Sequence, residues 1–375
     1  MFPIVSDGAN EYSDSIDALF ERLRADQNRD PSGDSAQVEA DPLVEVHDPA
    51  TPVPPVAQVP PTPVVPPTPV VPPVVQVTPS PLATPPSSAS TAPLPDVTKV
   101  SGGLVESMEP AGKEVAPTRR PLPRVLAVAN QKGGVGKTTT AVNLSACLAE
   151  LGYRVLVCDL DPQGNATTGL GLNPRDLASS MYEVILNDLP LEDCVEPTSV
   201  KNLFIAPASL DLAGAEIELV PAFSRELRLK RAIEAVHDQY DYVLIDCPPS
   251  LGLLTVNGLA AATEVIVPIQ CEYYALEGLG QLLRNVALVQ KNLNPTLEVS
   301  AIILVMYDAR TKLSDQVAKE VRDHFGDIVC RNVIPRSIRL SEAPSFGQPI
   351  ISFDSTSRGA IAYREVAKEV SGGAP

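Results

Sequence analysis

A surplus of basic charge is missing from this 375-residue chain, whose formal net charge is −17. That excludes a protein that holds nucleic acid by being basic all over. Residues 1–120 carry 16 acidic and seven basic side chains and the remainder 30 and 22, so the later part is acidic too and any DNA contact must come from a local patch. Long apolar runs are also missing. Nowhere do 18 apolar residues follow one another, and the opening MFPIVSDGANEYSD has neither a basic region nor an apolar core, so neither a membrane span nor an export signal is expected. Paired cysteines are missing as well. Cys147, Cys158, Cys194, Cys247, Cys271 and Cys330 all follow residue 120 and none share C-x-x-C spacing, which excludes a zinc site and fits reduced thiols in a cytoplasmic protein.

Proline is plentiful, and unevenly so: 23 of the 39 prolines precede residue 121. Pro49 to Pro95 is low-complexity Pro, Val and Thr, with runs such as PPTPVVPPTPVVPPVV. Proline locks φ and removes a donor, so this run favours extended polyproline II over sheet or helix. It reads as a spacer whose reach approaches about 100 Å when extended; a ligand for a proline-binding groove is the alternative. Before it, residues 13–25 place Ile16, Leu19, Phe20 and Leu23 at i, i+3, i+4 and i+7, with Ser13 or Asp14 as N-cap. So short an amphipathic helix is marginal alone and needs a surface to pack on. It is either a docking motif or a fraying local helix. The boundaries expected are an acidic tail over 1–48, a disordered Pro-rich linker over 49–122 and a folded domain over 123–375.

The folded part opens with VLAVANQKGGVGKTTTAVNLSACLAEL, from Val125 to Leu151. An apolar strand, Val125 to Ala129, enters a loop with Gly133, Gly134 and Gly136. Lys137, Thr138 and Thr139 then lead into a helix with Ala141, Leu144, Leu148 and Leu151 on one face. Glycines let successive N–H groups turn inward around a polyphosphate, and the helix N-terminus adds its positive end. Residues Lys132, Gly133, Gly134, Val135, Gly136, Lys137, Thr138 and Thr139 are therefore the expected ATP cradle, with Lys137 on the β/γ-phosphates and the Thr138 hydroxyl on Mg²⁺. The usual pattern wants glycine where Gln131 stands. Instead the loop holds a second lysine, Lys132, which cannot easily share the phosphate that Lys137 already holds.

With K-G-G-V-G-K-T the chain resembles the deviant Walker A ATPases, and within them the ParA/Soj chromosome-partitioning proteins. The resemblance covers about residues 123–370 and implies that Lys132 crosses to the nucleotide of a second subunit in an ATP-dependent sandwich dimer. Two aspartates fit beside it. Val155 to Leu160 is a second buried strand, ending in D-L-D-P-Q-G-N; Tyr242 to Asp246 is another, ending in D-C-P-P. A carboxylate at such a strand end is placed to orient water or magnesium. Asp161 matches the family residue needed for hydrolysis, and Asp246 the one that holds magnesium through water; simple turn caps are the plainer reading of Asp159 and Asp161. Strands at Leu203 to Ala206, Glu264 to Ile269 and Val299 to Tyr307 alternate with helices at Arg225 to His237 and Leu276 to Gln290. The expected fold is α/β, a mostly parallel twisted sheet with helices on both faces.

Between Arg310 and Leu340 seven basic residues face four acidic ones, by charge alone a solvated surface. The tracts M-Y-D-A-R-T and I-P-R-S-I-R-L-S-E-A-P-S are similar to family tracts. The resemblance then implies that Arg310 and Arg339 touch duplex DNA without sequence preference, that Pro335 and Arg336 border the base pocket, and that a ParB-type centromere-binding protein stimulates hydrolysis on the nucleoid. The C-terminal helix, Ser357 to Val370, puts Ala360, Ile361, Tyr363, Val366, Ala367 and Val370 at helical spacing. It lacks the lysine-rich balance of a membrane-surface helix, so core packing is expected and no membrane contact. Competing readings are a MinD-type positioning ATPase, a P-loop small-molecule kinase or ligase, and a non-catalytic scaffold. An iron-sulfur reductase would need two cluster cysteines per subunit, and Cys247 alone does not supply them.

Overall fold

The computed structural model describes residues 121–272 and 275–372; the helix expected over 13–25 and the linker up to residue 120 lie outside the described residues. The chain runs β1 (Arg124–Val128), α1 (Lys137–Glu150), β2 (Val155–Asp159), α2 (Asn165–Gly169), α3 (Met181–Leu186), β3 (Glu196–Pro197), β4 (Leu203–Ala206), α4 (Leu212–Glu218) and α5 (Arg228–Glu234). It continues through β5 (Tyr242–Asp246), α6 (Leu253–Ala261), β6 (Glu264–Gln270), α7 (Ala275–Asn292) and β7 (Glu298–Val305). Four helices close it: α8 (Lys312–Phe325), α9 (Ile338–Glu342), α10 (Ile350–Phe353) and α11 (Arg358–Ser371).

The strands form one sheet of order β3-β4-β2-β5-β1-β6-β7, parallel throughout except where β3 meets β4. The period of two along each strand explains the layers. In β1 and just beyond it, Val125, Ala127 and Ala129 enter one core, while Leu126 and Val128 enter the other. Both faces are apolar, so both must be covered. Helices α1 and α11 cover one side and α7 and α8 the other. The fold is the α/β sandwich the alternation predicts.

Helix α11 packs as expected, with Ala360, Tyr363, Val366 and Ala367 buried. The Ser357 hydroxyl caps it by accepting from the Ala360 N–H at 3.2 Å, and the Tyr363 hydroxyl lies 3.3 Å from that of Thr140 on α1. Ile361, predicted on the same face, is instead 53% exposed.

Two elements differ from the sequence reading. The helix expected over 225–237 is split into a 3-10 turn at Arg225–Leu227, α5, and a second turn at His237–Gln239. Asn257 of α6 accounts for the break: its amide donates to the Arg225 carbonyl at 2.8 Å and accepts from the Leu229 N–H at 3.2 Å. Strand β7 stops at Val305 rather than Tyr307, because Met306 adopts φ of 52° and ends the extended backbone.

The N-terminal edge of the central strands holds a buried ion pair. Arg124 of β1 donates twice to Glu264 of β6, at 2.6 Å each, and also reaches the Tyr242 hydroxyl and the Val370 carbonyl. Burial works against the Arg124 charge, but Glu264 outweighs it and the net shift is upward. Every charge here has a partner.

Candidate functional site

The opposite edge, at the carboxyl ends of the strands, carries the candidate site, as open parallel sheets favour. Strand β1 lies between β5 and β6, so its exit loop emerges at mid-sheet. Gly134 and Gly136 adopt φ of 71° and 79°, which residues with a Cβ rarely reach, and Gly136 is the N-cap of α1. A Cβ at Gly133 or Gly134 would meet nothing within 4 Å. Gly134 and Gly136 line the cavity described below. Val135 is buried and is not among the residues that line the cavity.

Two side chains outside the glycine motif hold the loop in shape. Asn130 accepts from the Lys132 N–H at 3.0 Å and donates to the Pro268 carbonyl at 2.8 Å, and Gln270 donates to the Gly134 carbonyl at 2.9 Å. Asn294 plays the same kind of part below, between α6 and α7. None of these stood out in the sequence, although a polar Asn130 directly after an apolar strand was the available signal.

The two lysines point to different places. Lys137, the first residue of α1, is buried, and its ammonium donates to the Lys132 carbonyl at 3.1 Å across the loop. Burial lowers its pKa, opposed by Asp246, Cys247 and Asp161. Lys132 instead has a side chain one-third exposed, with its ammonium 3.9 Å from Glu272. Glu272 also pairs with Arg336 at 3.2 Å.

Register places Asp159 of β2 directly beside Asp246 of β5. Their surroundings are unlike. Asp159 accepts from the Thr167 N–H at 2.8 Å, the Thr167 hydroxyl at 2.7 Å and the Asp161 N–H at 3.2 Å. Both oxygens of Asp246 are buried with no hydrogen-bond partner; the Thr138 hydroxyl lies near enough to favour its charge without reaching hydrogen-bond geometry. Burial, then the neighbouring Asp159, pushes the Asp246 pKa well up. Burial raises Asp159 as well, against the three donors that favour its charge. Asp161 stands at the cavity wall, its Oδ1 accepting from the Gln163 N–H at 3.0 Å. The turn-cap reading thus belongs chiefly to Asp159, and in part to Asp161.

A cavity of about 430 Å³ opens from the loop along α1. Its wall includes Lys137, Thr138, Thr139 and Asp161 together with Met306, Pro344 and Gln348. That volume lies within the range of small-molecule sites. Pro335 and Arg336 are not among the lining residues: Pro335 bridges to Tyr307, and Arg336 is engaged with Glu272. Met306, beside Gly136, and residues of the 343–348 turn line the cavity instead. The density of turn formers in A-P-S-F-G-Q-P was its sequence signal.

A magnesium–nucleotide fits this donor set. A buried carboxylate without a partner is costly, and a hydrated Mg²⁺ beside Asp246 would satisfy both its oxygens, with the Thr138 hydroxyl close by. Among the described residues there is no cluster of three or more His, Cys, Asp or Glu that could hold a metal. Mg²⁺ needs none, since it takes one or two protein ligands together with phosphate and water. The six cysteines are free and buried, so they offer no thiolate site.

The candidate DNA arginines are exposed and each is paired. Arg310 grips Asp308 through two bonds of 2.8 and 2.6 Å, which holds that carboxyl well below its ordinary range. Arg339 lies 3.1 Å from Glu342 and 3.5 Å from Asp354, over the Phe353 ring. Among the described residues no helix is long and apolar enough to cross a membrane.

Sheet order, glycine loop and paired aspartates define a P-loop nucleotide-binding ATPase with a second lysine in its loop. The comparisons agree: a family model described as an AAA domain matches residues 123–299. The sporulation initiation inhibitor protein Soj of Bacillus subtilis is 58% identical over 247 residues, covering 66% of this chain and 98% of that one. The chromosome partitioning protein ParA of Caulobacter vibrioides is 53% identical over 249 residues, covering 66% and 93%. The chain belongs to the Soj/ParA family of chromosome-partitioning ATPases. Among solved structures, a Mycobacterium smegmatis protein called cobyrinic acid a,c-diamide synthase, with bound ADP and magnesium, is 45% identical at TM-score 0.58, covering 66% and 93%. The septum site-determining protein MinD of Pyrococcus horikoshii, complexed with Mg-ADP, is 28% identical at TM-score 0.55, covering 66% and 95%. ATP and Mg²⁺ are the ligands of the site.

Proposed function

We propose that the chain is an ATP-driven DNA-segregation switch. In the ATP state two subunits pair face to face, Lys132 of each reaching the nucleotide of the other, and the pair holds nucleoid DNA without sequence preference through Arg310 and Arg339. Hydrolysis, with Asp161 orienting water and Asp246 and Thr138 at the metal, releases it. A ParB-type centromere-binding protein accelerates that step, and the cell compartment is the cytoplasm, at the nucleoid. Basal turnover is slow, because no arginine finger is evident in the chain and the stimulating group comes from outside.

The observation that carries this reading is the divergence of the two lysines. Lys137 folds over its own loop, whereas Lys132 stands outside the cavity wall with its ammonium beside Glu272. A cation so placed is available to a second subunit's phosphates. The paired arginines bear on DNA strength: phosphates must displace Asp308, Glu342 and Asp354. Single contacts are then weak, and doubling them in a dimer raises affinity steeply.

Full-length protein should retain long duplex DNA with ATP and magnesium, not with ADP, and lose it as salt rises. Arg339→Glu should abolish retention while ATP-dependent pairing persists. Retention indifferent to the nucleotide would overturn the switch. The name of the 45%-identical mycobacterial structure favours one second reading, ATP-dependent amide formation on a small carboxylic acid. ATP consumption that rises with cobyrinic acid and an amide donor, and not with DNA and a partner, would establish it.

A further inference from the structure

Lys132 and Lys137 leave one glycine loop in different directions, and one buried side chain accounts for the direction of the first. Strand β1 pairs with β6 up to Val128 and Ile266, and the Ala129 N–H still donates to the Ile266 carbonyl at 3.1 Å. A parallel ladder advances two residues at a time, so the Gln131 N–H would be next, on the Pro268 carbonyl. The Asn130 side chain takes that place instead, its amide donating to Pro268 at 2.8 Å. The chain thereby turns out of the sheet before Gln131. The same side chain accepts from the Lys132 N–H at 3.0 Å, which fixes the peptide from which the Lys132 side chain departs. Asn130 is buried, so both bonds lie out of water, where losing a partner costs most.

Helix α7 closes over this corner. At Gly278 an added Cβ would stand 3.3 Å from Asn130 Oδ1 and 3.6 Å from the Lys132 Cβ. The first distance is tighter than ordinary contact, so glycine lets α7 approach without displacing the amide. The carbonyl of Lys132 is held from the other side by the Lys137 ammonium. Phosphates would claim that ammonium; the Asn130 bond makes no use of it.

We propose that Asn130 is a positioning residue that aims Lys132 away from its own cradle. It serves the pairing of subunits, and the turnover that depends on pairing, more than the binding of ATP. The inference rests on the reading that Lys132 reaches the nucleotide of a second subunit. The cradle has supports of its own: Gln270 on the Gly134 carbonyl, and the Thr140 N–H on the Gly136 carbonyl, each at 2.9 Å. A Lys132 peptide released from Asn130 samples several directions, few of which meet a partner, and that lost preorganisation falls on association.

The test uses full-length, hydrolysis-blocked Asp161→Ala protein with and without Asn130→Ala, saturated with ATP and magnesium and sedimented over a range of concentrations. ATP affinity is measured separately on protein dilute enough to be monomeric. Asn130→Ala should weaken pairing at least tenfold and ATP binding no more than threefold. A general loosening of the loop would weaken both alike. Equal losses, or a loss of pairing under tenfold, overturn the proposal. Should Asn130→Ala not fold, Gly278→Ala decides: alanine favours the helix, Asn130 stays, and the new methyl presses on its Oδ1. Pairing should then weaken at least threefold with ATP binding within twofold of the parent, and a smaller loss of pairing overturns the proposal. Lys132→Ala in the same background tells the two failures apart. If it leaves the dimer intact, the reading of Lys132 falls and this inference with it; if it abolishes the dimer while Asn130→Ala spares it, this inference alone falls.

Discussion

The two ends of the central strands treat buried charge in opposite ways. At the amino end Arg124 and Glu264 meet in a two-pronged pair, with Tyr242 and the Val370 carbonyl taking up further hydrogen bonds of the guanidinium. At the carboxyl end Asp246 is as deeply buried, yet neither oxygen has a partner. A fully satisfied pair closes the structure on itself. An unsatisfied carboxylate at the mouth of a glycine loop leaves its free energy to be recovered when a cation arrives, which is what distinguishes a site from a strut.

The comparison can be broken most forcefully at the amino end. Glu264→Ala leaves Arg124 buried beside a vacancy and should cost about 3–5 kcal/mol of stability, measured by urea unfolding, with nucleotide affinity of the folded fraction unchanged. At the carboxyl end Asp246→Asn should do the reverse. Turnover should fall about 10²–10³-fold, while the ligand-free protein becomes more stable by about 1–3 kcal/mol. A stability loss there would mean that Asp246 is a strut after all.

Asp159 gives a third arm, because it is the satisfied neighbour of the unsatisfied Asp246. Thr167→Val removes the 2.7 Å hydroxyl donor to Asp159 and should cost about 1.5–3 kcal/mol, against the gain from Asp246→Asn. The smallest effect is on pH dependence. A carboxyl whose folded pKa is raised contributes stability that is complete below its unfolded pKa and is lost as pH rises through the folded value. Thermal midpoints of ligand-free protein should therefore fall relative to those of Asp246→Asn as pH climbs from about 4 towards neutrality. Magnesium and nucleotide should narrow that difference.

Much of this was legible because it is local. The period of two in Val125 to Ala129, the glycines behind it and the helical spacing from Ala141 lie within one turn or strand of each other. What was not legible depends on partners far along the chain. Asp159 and Asp246 read alike, each an aspartate ending an apolar strand; Thr167, folded back by α2, and the Asp161 N–H tell them apart. The helix expected over 225–237 has the right spacing, but Asn257 takes two of its backbone groups. The cavity wall at Met306, Pro344 and Gln348 comes from segments remote from the glycine loop in sequence. By contrast, the pairing of Arg310 with Asp308 and of Arg339 with Glu342 was within reach, since each acid stands two or three residues away.

The central claim is that two lysines of one loop serve two nucleotides. Sedimentation of Asp161→Ala protein saturated with ATP and magnesium tests it directly, alone and combined with Lys132→Ala. The account predicts a dimer for the first and an ATP-bound monomer for the second. A monomer in both, or a dimer that survives loss of Lys132, contradicts it.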